Sequence, residues 1–388
     1  MKERAGSDPL IAAYVSGHGF GHAVRTSTIL KELLKEMPKL RVIAKTDAPA
    51  WLFAGLGDRV CVLPVQVDAP PVQADAFTMD IDATLAGMQA WLSRKDEWIR
   101  REAAWLEDQG VALVIADISP LALAAADLAR VPSALIANFT WEWILSEAYL
   151  PHPLSAAVAR EWSACTPLAS WCFCTAPTAE IGHPCPIPVG IVGRRCEWDR
   201  DEVRQWLGLS ASDIAVLLSF GGLDIRHVDF GPLAGLDVVY LSTSPKSGLP
   251  RCQCVGREVD HACLMHAADV VVGKLGYSTV AEAVIHGTPF LFAPRANWPE
   301  EQILRTAVEG LLPWACVPWD RFAAGQWAHD LLTLAGRGKT DGQIGYGGAQ
   351  VARLVAAALR NDALDRPDLY PPASELASWR SQAIAGLG

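Results

Sequence analysis

The sequence has no long apolar segment and no excess of positive charge. No stretch reaches the ~18 consecutive uncharged apolar residues of a membrane-spanning helix, and the first ten residues, MKERAGSDPL, lack the apolar core of a signal peptide. The formal net charge of −10 at pH 7 disfavours nucleic acid or an anionic membrane surface as the main partner. These absences predict a cytoplasmic protein without a membrane span.

The ten cysteines lack the spacing of a zinc site. They include two C-x-C pairs, Cys172/Cys174 and Cys252/Cys254, but no C-x-x-C with a matching partner. Because residues two apart on a strand point to one face, these pairs favour reduced thiols in a protein core. The D-x-D at 80–82 is similar to a metal-binding motif known from some enzymes, but it consists of three common residues. The sequence therefore predicts no metal site.

Short apolar runs alternate with helical patterns in both halves of the 388 residues. That length favours two domains of ~150–200 residues each. Nearly continuous apolar runs are typical of parallel strands covered on both faces. The predicted fold class is therefore α/β, with two doubly wound, Rossmann-like domains and a cleft between them. The predicted strands are 10–16, 40–46, 60–67, 112–118, 133–139, 170–176, 214–222, 236–243, 252–256, 268–274 and 288–295.

A joint between the domains is predicted where proline, glycine and charge accumulate, in CPIPVGIVGRRCEWDR at 185–200. The alternation of strands and helices restarts after this stretch. The N-terminal domain then covers 1–190, and the C-terminal domain covers 191–365.

The stretch YVSGHGFGHAVR, 14–25, places two histidines in a glycine-rich turn between the first predicted strand and the first helix. In an α/β sheet this junction lies at the ligand-binding edge, and glycines let the backbone approach a ligand. The glycines at 17, 19 and 21 match neither the dinucleotide G-x-G-x-x-G nor a P-loop. His18 and His22 are therefore candidate catalytic residues, and the alternative is a tight turn with the histidines as caps.

Asp117 ends the predicted strand ALVIADI. A carboxylate there opens onto the same edge of the sheet and can accept a hydrogen bond from a histidine of the first loop, which would fix the tautomer. The alternative is that Asp117 caps the helix that begins near Pro120. The two roles are compatible.

The strongest pattern of the second half is VVVGKLGYSTVAEAVIHGTPFLFAP, 270–294, in which a strand, a turn and a helix follow one another. The free N–H groups of a first helical turn bind anions, and Lys274 adds positive charge. We therefore predict a diphosphate site in which Glu282 reaches a sugar diol; the alternative is a plain helix with Ser278 as its N-cap. The candidate binding residues at this edge are Gly221, Gly222, Lys274, Gly276, Tyr277, Ser278, Thr279 and Glu282.

The order of these motifs resembles that of GT-B glycosyltransferases. The G-x-S/T-x-x-E helix, followed by Pro294, Glu301 and Gln302, is similar to their donor-binding region. A second resemblance covers most of the chain and is to the N-terminal glycosyltransferase-like region of L-arabinokinases. The stretches that carry it are YVSGHGFGHAVR, VQADAFTMD (72–80), NFTWEWI (138–144), GKLGYSTVAEA (273–283) and the GG at 347–348.

L-arabinokinases carry a sugar-kinase domain after this region, and we expect none here. The resemblance therefore implies a fold and a nucleotide-sugar site but not arabinose phosphorylation. By motif, His22 takes the position of the catalytic base and Asp117 that of the carboxylate that orients it, while His18 is an addition. Glu282 takes the position of the residue that binds the ribose hydroxyls.

Two further implications concern the donor sugar and the C-terminus. Glu301 and Gln302 take the position of the pair that faces the donor sugar, although the usual Asp-Gln or Gln-Gln reads Glu-Gln here. A last helix within 366–388 is implied to pack back on the N-terminal domain, as in that fold.

The resulting expectation is an inverting, metal-independent glycosyltransferase that takes a sugar from a nucleoside diphosphate sugar, with a uridine nucleotide favoured. The nucleotide sugar is a substrate, so no cofactor is expected, and the acceptor is a small molecule or a glycan. Two alternatives remain open: a sugar-nucleotide 2-epimerase of the same fold, and a non-catalytic sensor of sugar nucleotides.

Overall fold

The computed structural model describes most of the chain as an α/β protein. The described residues are 9–73, 75–149, 153–221, 225, 227–243, 249–256, 259–295, 298–342 and 345–360. Two predictions lie outside them: Gly222 as a candidate binding residue, and the last helix within 366–388.

Strands and helices alternate along the described chain. The strands are β1 Leu10–Val15, β2 Arg41–Thr46, β3 Val60–Pro64, β4 Val72–Gln73, β5 Met79–Asp80, β6 Leu113–Asp117, β7 Ser133–Ala137, β8 Trp171–Ala176, β9 Pro186–Ile191, β10 Ala215–Ser219, β11 Val239–Ser242, β12 Cys252–Cys254, β13 Val270–Gly273, β14 Phe290–Phe292 and β15 Trp314–Cys316. The helices are α1 Gly21–Glu36, α2 Ile81–Leu92, α3 Lys95–Gln109, α4 Pro120–Leu128, α5 Trp141–Tyr149, α6 Pro153–Ser163, α7 Arg200–Trp206, α8 His261–Ala267, α9 Tyr277–His286, α10 Glu300–Leu311, α11 Trp319–Ala323, α12 Ala328–Arg337 and α13 Gly347–Leu359.

The first compact unit contains the described residues of 9–72, 80–192 and 346–360. Its sheet has seven parallel strands within the described residues, in the order β3-β2-β1-β6-β7-β8-β9. The chain winds outward from β1 to β3 and then returns to β6 on the other side of β1. Beside the carboxyl ends of β1 and β6 lies the topological switch point, which is where sheets of this kind bind ligands.

The second compact unit contains the described residues of 73–79 and 193–345. It repeats the same design with six parallel strands in the part of the chain that the structure describes, ordered β12-β11-β10-β13-β14-β15. Its switch point lies between β10 and β13. The predicted fold class, α/β with two doubly wound parallel sheets, is confirmed.

Helix α13 packs on α1 within the first unit. Its side chains Val351, Leu354 and Val355 are fully buried in the same cluster as Ile29 and Leu33 of α1. The sequence analysis assigned residues up to 365 to the second domain. The apolar face of α13, which is rich in small residues, instead covers α1 and β9. The chain therefore returns to the first unit before residue 366.

Strand β9 lies inside the stretch that the sequence analysis interpreted as the domain joint. Two prolines, Pro186 and Pro188, argued against a strand in this stretch. However, β9 is the last strand of its sheet and pairs only with β8 among the described strands. An edge position tolerates proline because one side of the strand needs no ladder hydrogen bonds. The passage to the second unit falls after β9, between Val192 and Gly193.

The sequence analysis, which favoured reduced thiols, did not predict the disulfide that Cys196 and Cys263 form. These residues are 67 positions apart in the sequence, so their spacing gave no signal, but their Cα atoms lie 4.8 Å apart. That separation is within the usual range for disulfides. The C-x-C pair Cys172/Cys174 points to one face as predicted, with its sulfur atoms 3.7 Å apart.

Helix α13 approaches β9 so closely that Gly347 has no room for a side chain, since a Cβ there would lie 2.2 Å from the carbonyl oxygen of Gly190. We expect Gly347→Ala to lower the free energy of unfolding by ~1–3 kcal/mol, because backbone must move. Gly336→Ala in α12 is the control, since nothing lies within 4 Å of its Cβ position. Urea unfolding measures both variants, and equal stability of the two would contradict the close contact.

Candidate functional site

The first unit brings His22 and Asp117 together at its switch point. Strand β1 leads through the glycine turn into α1, of which His22 is the second residue, and Asp117 is the last residue of the adjacent β6. Nδ1 of His22 lies 2.7 Å from Oδ1 of Asp117, and both residues are buried. Because an ionised carboxylate only accepts hydrogen bonds, Nδ1 carries the proton of the neutral imidazole, and Nε2 is then the acceptor.

Three residues that sequence reasoning missed complete this network. Nε and Nη2 of Arg25 donate to the two Asp117 oxygens at 3.0 and 2.5 Å, and Oγ1 of Thr26 donates to Oδ2 at 2.7 Å. The guanidinium of Arg25 also contacts the amide oxygen of Asn138, the residue after β7. A signal existed: Arg25 and Thr26 follow His22 by three and four residues, which places them on one face of α1.

Asp117 holds a negative charge despite its complete burial. Burial opposes ionisation, but Arg25 and His22 outweigh it and lower the pKa of Asp117 to about 2. The alternative that Asp117 caps helix α4 is wrong, because Ser119 occupies the N-cap position. The carboxylate is thus available to orient His22.

His18 lies beside His22, with ring centroids 6.4 Å apart. Its backbone N–H donates to Oγ of Ser16 at 3.3 Å, and its ring packs edge-on against Trp141 with centroids 5.5 Å apart. Nε1 of Trp141 in turn donates to Asp68 at 2.8 Å. Burial raises the pKa of the Asp68 carboxyl to about 6, and this acid is a further residue that the sequence did not single out.

Gly17 and Gly19 of the first loop are required for different structural reasons. Gly19 has φ +60°, a conformation that side chains disfavour. A Cβ at Gly17 would lie 1.8 Å from Oδ1 of Asp47, so only glycine leaves room here for the Asp47 carboxylate. The glycine pattern is therefore required to build the turn that delivers His22.

The second unit places Gly221 and Lys274 beside each other at its own switch point. Gly221 follows β10 with φ +70°, and a Cβ there would lie 3.1 Å from Cε of Lys274. Burial and the nearby Arg295 lower the pKa of Lys274 to about 7. Lys274 is half-buried, and an anionic ligand beside its amine would restore the full charge.

Helix α9 begins where the sequence predicted it, but its N-cap is Gly276 and not Ser278. Ser278 and Thr279 therefore lie in the first turn together with Tyr277. Nothing lies within 4 Å of the Cβ position of Gly276, so space is open beside the helix start. The N–H groups of a first turn have no intrahelical partner and favour an anion.

Glu282 is buried and engaged on both carboxylate oxygens. Nε of Arg194 donates to Oε1 at 2.6 Å, and Nδ1 of His261 lies 2.6 Å from Oε2. Nε2 of His261 is in turn 3.0 Å from Oγ of Ser219. Burial opposes ionisation, but Arg194 and His261 lower the pKa of Glu282 to about 2. Sequence reasoning found Glu282 but neither of its two partners, Arg194 and His261, nor Ser219, which contacts His261.

Glu301 and Gln302 have different surroundings. Glu301 is buried at the start of α10, where it accepts hydrogen bonds from the backbone N–H and from Nε of Arg295, at 2.9 and 3.1 Å. Gln302 is exposed. Arg295 also donates to the carbonyl of Leu275 at 2.6 Å. Glu301, by holding Arg295, therefore helps to fix the segment that precedes α9. The role of the Glu301–Gln302 pair towards a donor sugar stays a prediction.

Two kinds of feature are missing from the described residues, a cluster of metal ligands and a membrane-spanning helix. No group of three or more histidine, cysteine, aspartate or glutamate side chains there has the arrangement of a metal site. No helix in that part of the chain combines the length and apolarity needed to cross a membrane. The D-x-D at 80–82 has a structural role at its first residue, since Asp80 accepts a hydrogen bond from the backbone N–H of Ala83 as the N-cap of α2.

Comparison with known proteins adds relatives of the chain and of its fold. No protein-family model matches the sequence. An L-arabinokinase of Arabidopsis thaliana is 29% identical over 319 residues, which cover 77% of this chain and 30% of that protein. The chain therefore corresponds to less than a third of the length of this relative.

Solved structures match over nearly the whole chain. Phytolacca americana UGT2, complexed with UDP-2-fluoroglucose and pterostilbene, has a TM-score of 0.59 at 16% identity and covers 96% of this chain and 100% of its own. Arabidopsis thaliana UGT89C1, complexed with UDP-L-rhamnose, has a TM-score of 0.60 at 12% identity, with coverages of 98% and 100%. The kitacinnamycin glycosyltransferase has a TM-score of 0.57 at 17% identity, with coverages of 98% and 96%. The chain has the GT-B fold. The two switch points described above are those of the two Rossmann-like domains of this GT-B protein.

Proposed function

We propose that this GT-B protein is a glycosyltransferase that moves a sugar from a UDP-sugar to an acceptor hydroxyl, with inversion and without a metal ion. The observation that carries the proposal is the 2.7 Å contact between Nδ1 of His22 and Asp117 at the first switch point. With Nδ1 on Asp117, Nε2 of the neutral imidazole can accept a proton at the ligand-binding edge. The sequence resemblance and the structural neighbours that were solved with UDP-sugars support the same reaction.

In the proposed reaction, Nε2 of His22 takes the proton of the acceptor hydroxyl as the acceptor oxygen attacks the anomeric carbon. The bond between that carbon and the diphosphate oxygen breaks at the same time, so the configuration inverts. Asp117 stabilises the imidazolium that forms, and Arg25 and Thr26 hold Asp117 in position.

The leaving diphosphate gains negative charge in this step. The proposed binding groups are the N–H groups at the start of α9, from Gly276 to Thr279, and the ammonium group of Lys274. This positive potential takes the part that a divalent cation plays in other transferases, which is why we propose metal independence. The nucleotide sugar is a substrate in this scheme, and no cofactor takes part.

The proposal is tested by product analysis after incubation with UDP-glucose, other UDP-sugars and a panel of hydroxyl acceptors, all in the presence of EDTA. A glycoside with inverted anomeric configuration, formed by the wild type but not by His22→Gln, is the expected product. A changed sugar nucleotide formed without any acceptor would instead establish the epimerase. Tight binding of a UDP-sugar without turnover would establish the sensor. Turnover that EDTA abolishes and Mg²⁺ restores would contradict the metal-independent mechanism.

The lowered pKa of Lys274 gives a prediction for donor binding. A diphosphate favours the charged amine, so binding takes up a proton once free Lys274 is neutral. UDP-glucose affinity should be highest below pH 7 and should fall by up to about tenfold per pH unit above it. UDP-glucose suits calorimetry across this range, because its diphosphate does not titrate there. Lys274→Arg, which stays charged, should remove the pH dependence, whereas a flat wild-type profile would contradict the assignment.

A further inference from the structure

In the second unit, each cysteine of the disulfide lies two residues after a residue that contacts the Glu282 carboxylate. The two groups that hold the Glu282 carboxylate are Arg194 and His261, at 2.6 Å each. Cys196 lies two residues after Arg194, and Cys263 lies two residues after His261. One covalent bond thus ties together the two short segments that carry both partners of this buried carboxylate.

Other contacts show how closely the segment around Cys196 fits its surroundings. Nη1 of Arg194 lies 2.8 Å from Oδ1 of Asp260, the N-cap of α8. The backbone N–H of Cys196 donates to Nε2 of His286, at the end of α9, at 3.1 Å. A Cβ at Gly193 would lie 2.8 Å from the side chain of Ile285. These polar contacts, and the close packing of Gly193 on α9, hold the segment together with the disulfide.

After reduction of the disulfide, only noncovalent contacts, among them the Arg194–Glu282 ion pair itself, hold Arg194 beside Glu282. Local segments of a protein open at much lower free energy than the whole when few interactions hold them. When the segment opens, Glu282 loses a donor and the carboxylate has to reorient towards solvent, because a buried charge without a partner is costly. The ribose-binding position of Glu282 is then no longer fixed.

We propose that the Cys196–Cys263 disulfide is a redox-sensitive tie that holds Arg194 and His261 on Glu282, so that its reduction weakens nucleotide binding. The inference rests on the proposed function, in which Glu282 binds the ribose. In this inference Arg194 is a positioning residue for Glu282. Nucleotide binding by the second unit is then sensitive to thiol reductants.

The reaction needs a dithiol reductant. A thiolate of the reductant attacks Sγ of Cys263, which is half-buried, whereas Cys196 is buried. A mixed disulfide forms and Cys196 leaves as a thiolate. The second thiol of the reductant then displaces Cys263, so that the reductant ends as a disulfide and the protein carries two reduced thiols.

The test is a calorimetric titration with UDP of the oxidised protein and of the protein reduced with dithiothreitol. We expect reduction to raise the Kd of the wild type by about tenfold, the effect of one lost hydrogen bond to a charged group. The double variant Cys196→Ser/Cys263→Ser should bind as weakly as the reduced wild type with or without reductant. Cys254→Ser, which removes an exposed free thiol of the same unit, should behave as the wild type in both states.

A further variant separates this inference from a general loss of stability. In Arg194→Gln the tie no longer holds a charged donor on Glu282, so the difference between oxidised and reduced protein should shrink to less than about threefold. Equal UDP affinity in oxidised and reduced wild type, or an undiminished redox effect in Arg194→Gln, would overturn the inference and leave the proposed function intact. Absence of UDP binding in both states would overturn the proposed function, and the inference with it.

Discussion

Replacing His22 with alanine is expected to lower kcat by about 10²- to 10⁴-fold, the usual contribution of general-base catalysis. Nucleotide affinity should stay nearly constant, because the binding groups proposed for the diphosphate and ribose belong to the second unit. Steady-state kinetics with a UDP-sugar, combined with calorimetric titration of UDP, measures the two effects separately.

His18→Ala is the matched control for this variant. His18 lies in the same glycine turn, but its ring packs on Trp141 and Asp117 holds His22. We expect a smaller loss of kcat in His18→Ala than in His22→Ala. A larger loss would assign the base to His18, and unchanged turnover in both variants would make the loop structural.

The second large effect is expected at Glu282. Loss of a hydrogen bond to a charged group costs roughly 1.5–3 kcal/mol, so Glu282→Ala should weaken UDP binding by about 10- to 150-fold. The alanine variant also leaves Arg194 and His261 without their shared carboxylate, which lowers stability. Glu282→Gln keeps the size of the side chain, and calorimetry on this folded variant should still show weaker binding.

The control for Glu282 is Glu309→Ala, which removes an exposed ion pair with Arg305 in α10. Pairs of this kind contribute little to stability, and UDP affinity should not change. Wild-type affinity in a folded Glu282→Gln variant would mean that the ribose lies elsewhere.

The sequence predicted the parts of the fold and site that depend on local pattern. Apolar runs revealed buried parallel strands, and the carboxyl end of such a strand is where His22 and Asp117 had to be sought. The order of strands then brings these two residues together, because β6 returns beside β1. The same reasoning located Lys274 and the start of α9 beside β10.

The missed features depend on contacts distant in sequence or on one position in the sheet. Arg25 looks like an ordinary helix residue until its guanidinium is found on Asp117, 92 positions away. The Cys196–Cys263 pair is separated by 67 residues and has no motif. Strand β9 was missed because its prolines exclude a central strand, and only the sheet order shows that it is an edge strand.

The central claim is that the second unit binds a nucleoside diphosphate and the first unit supplies the base. Calorimetric titration of UDP against the wild type, Lys274→Met, Glu282→Gln and His22→Ala tests it most directly. The account predicts one site per chain, clearly weakened in the Lys274 and Glu282 variants and unchanged in His22→Ala. Absence of UDP binding to the wild type, or binding that is lost in His22→Ala and retained in the other two variants, would contradict it.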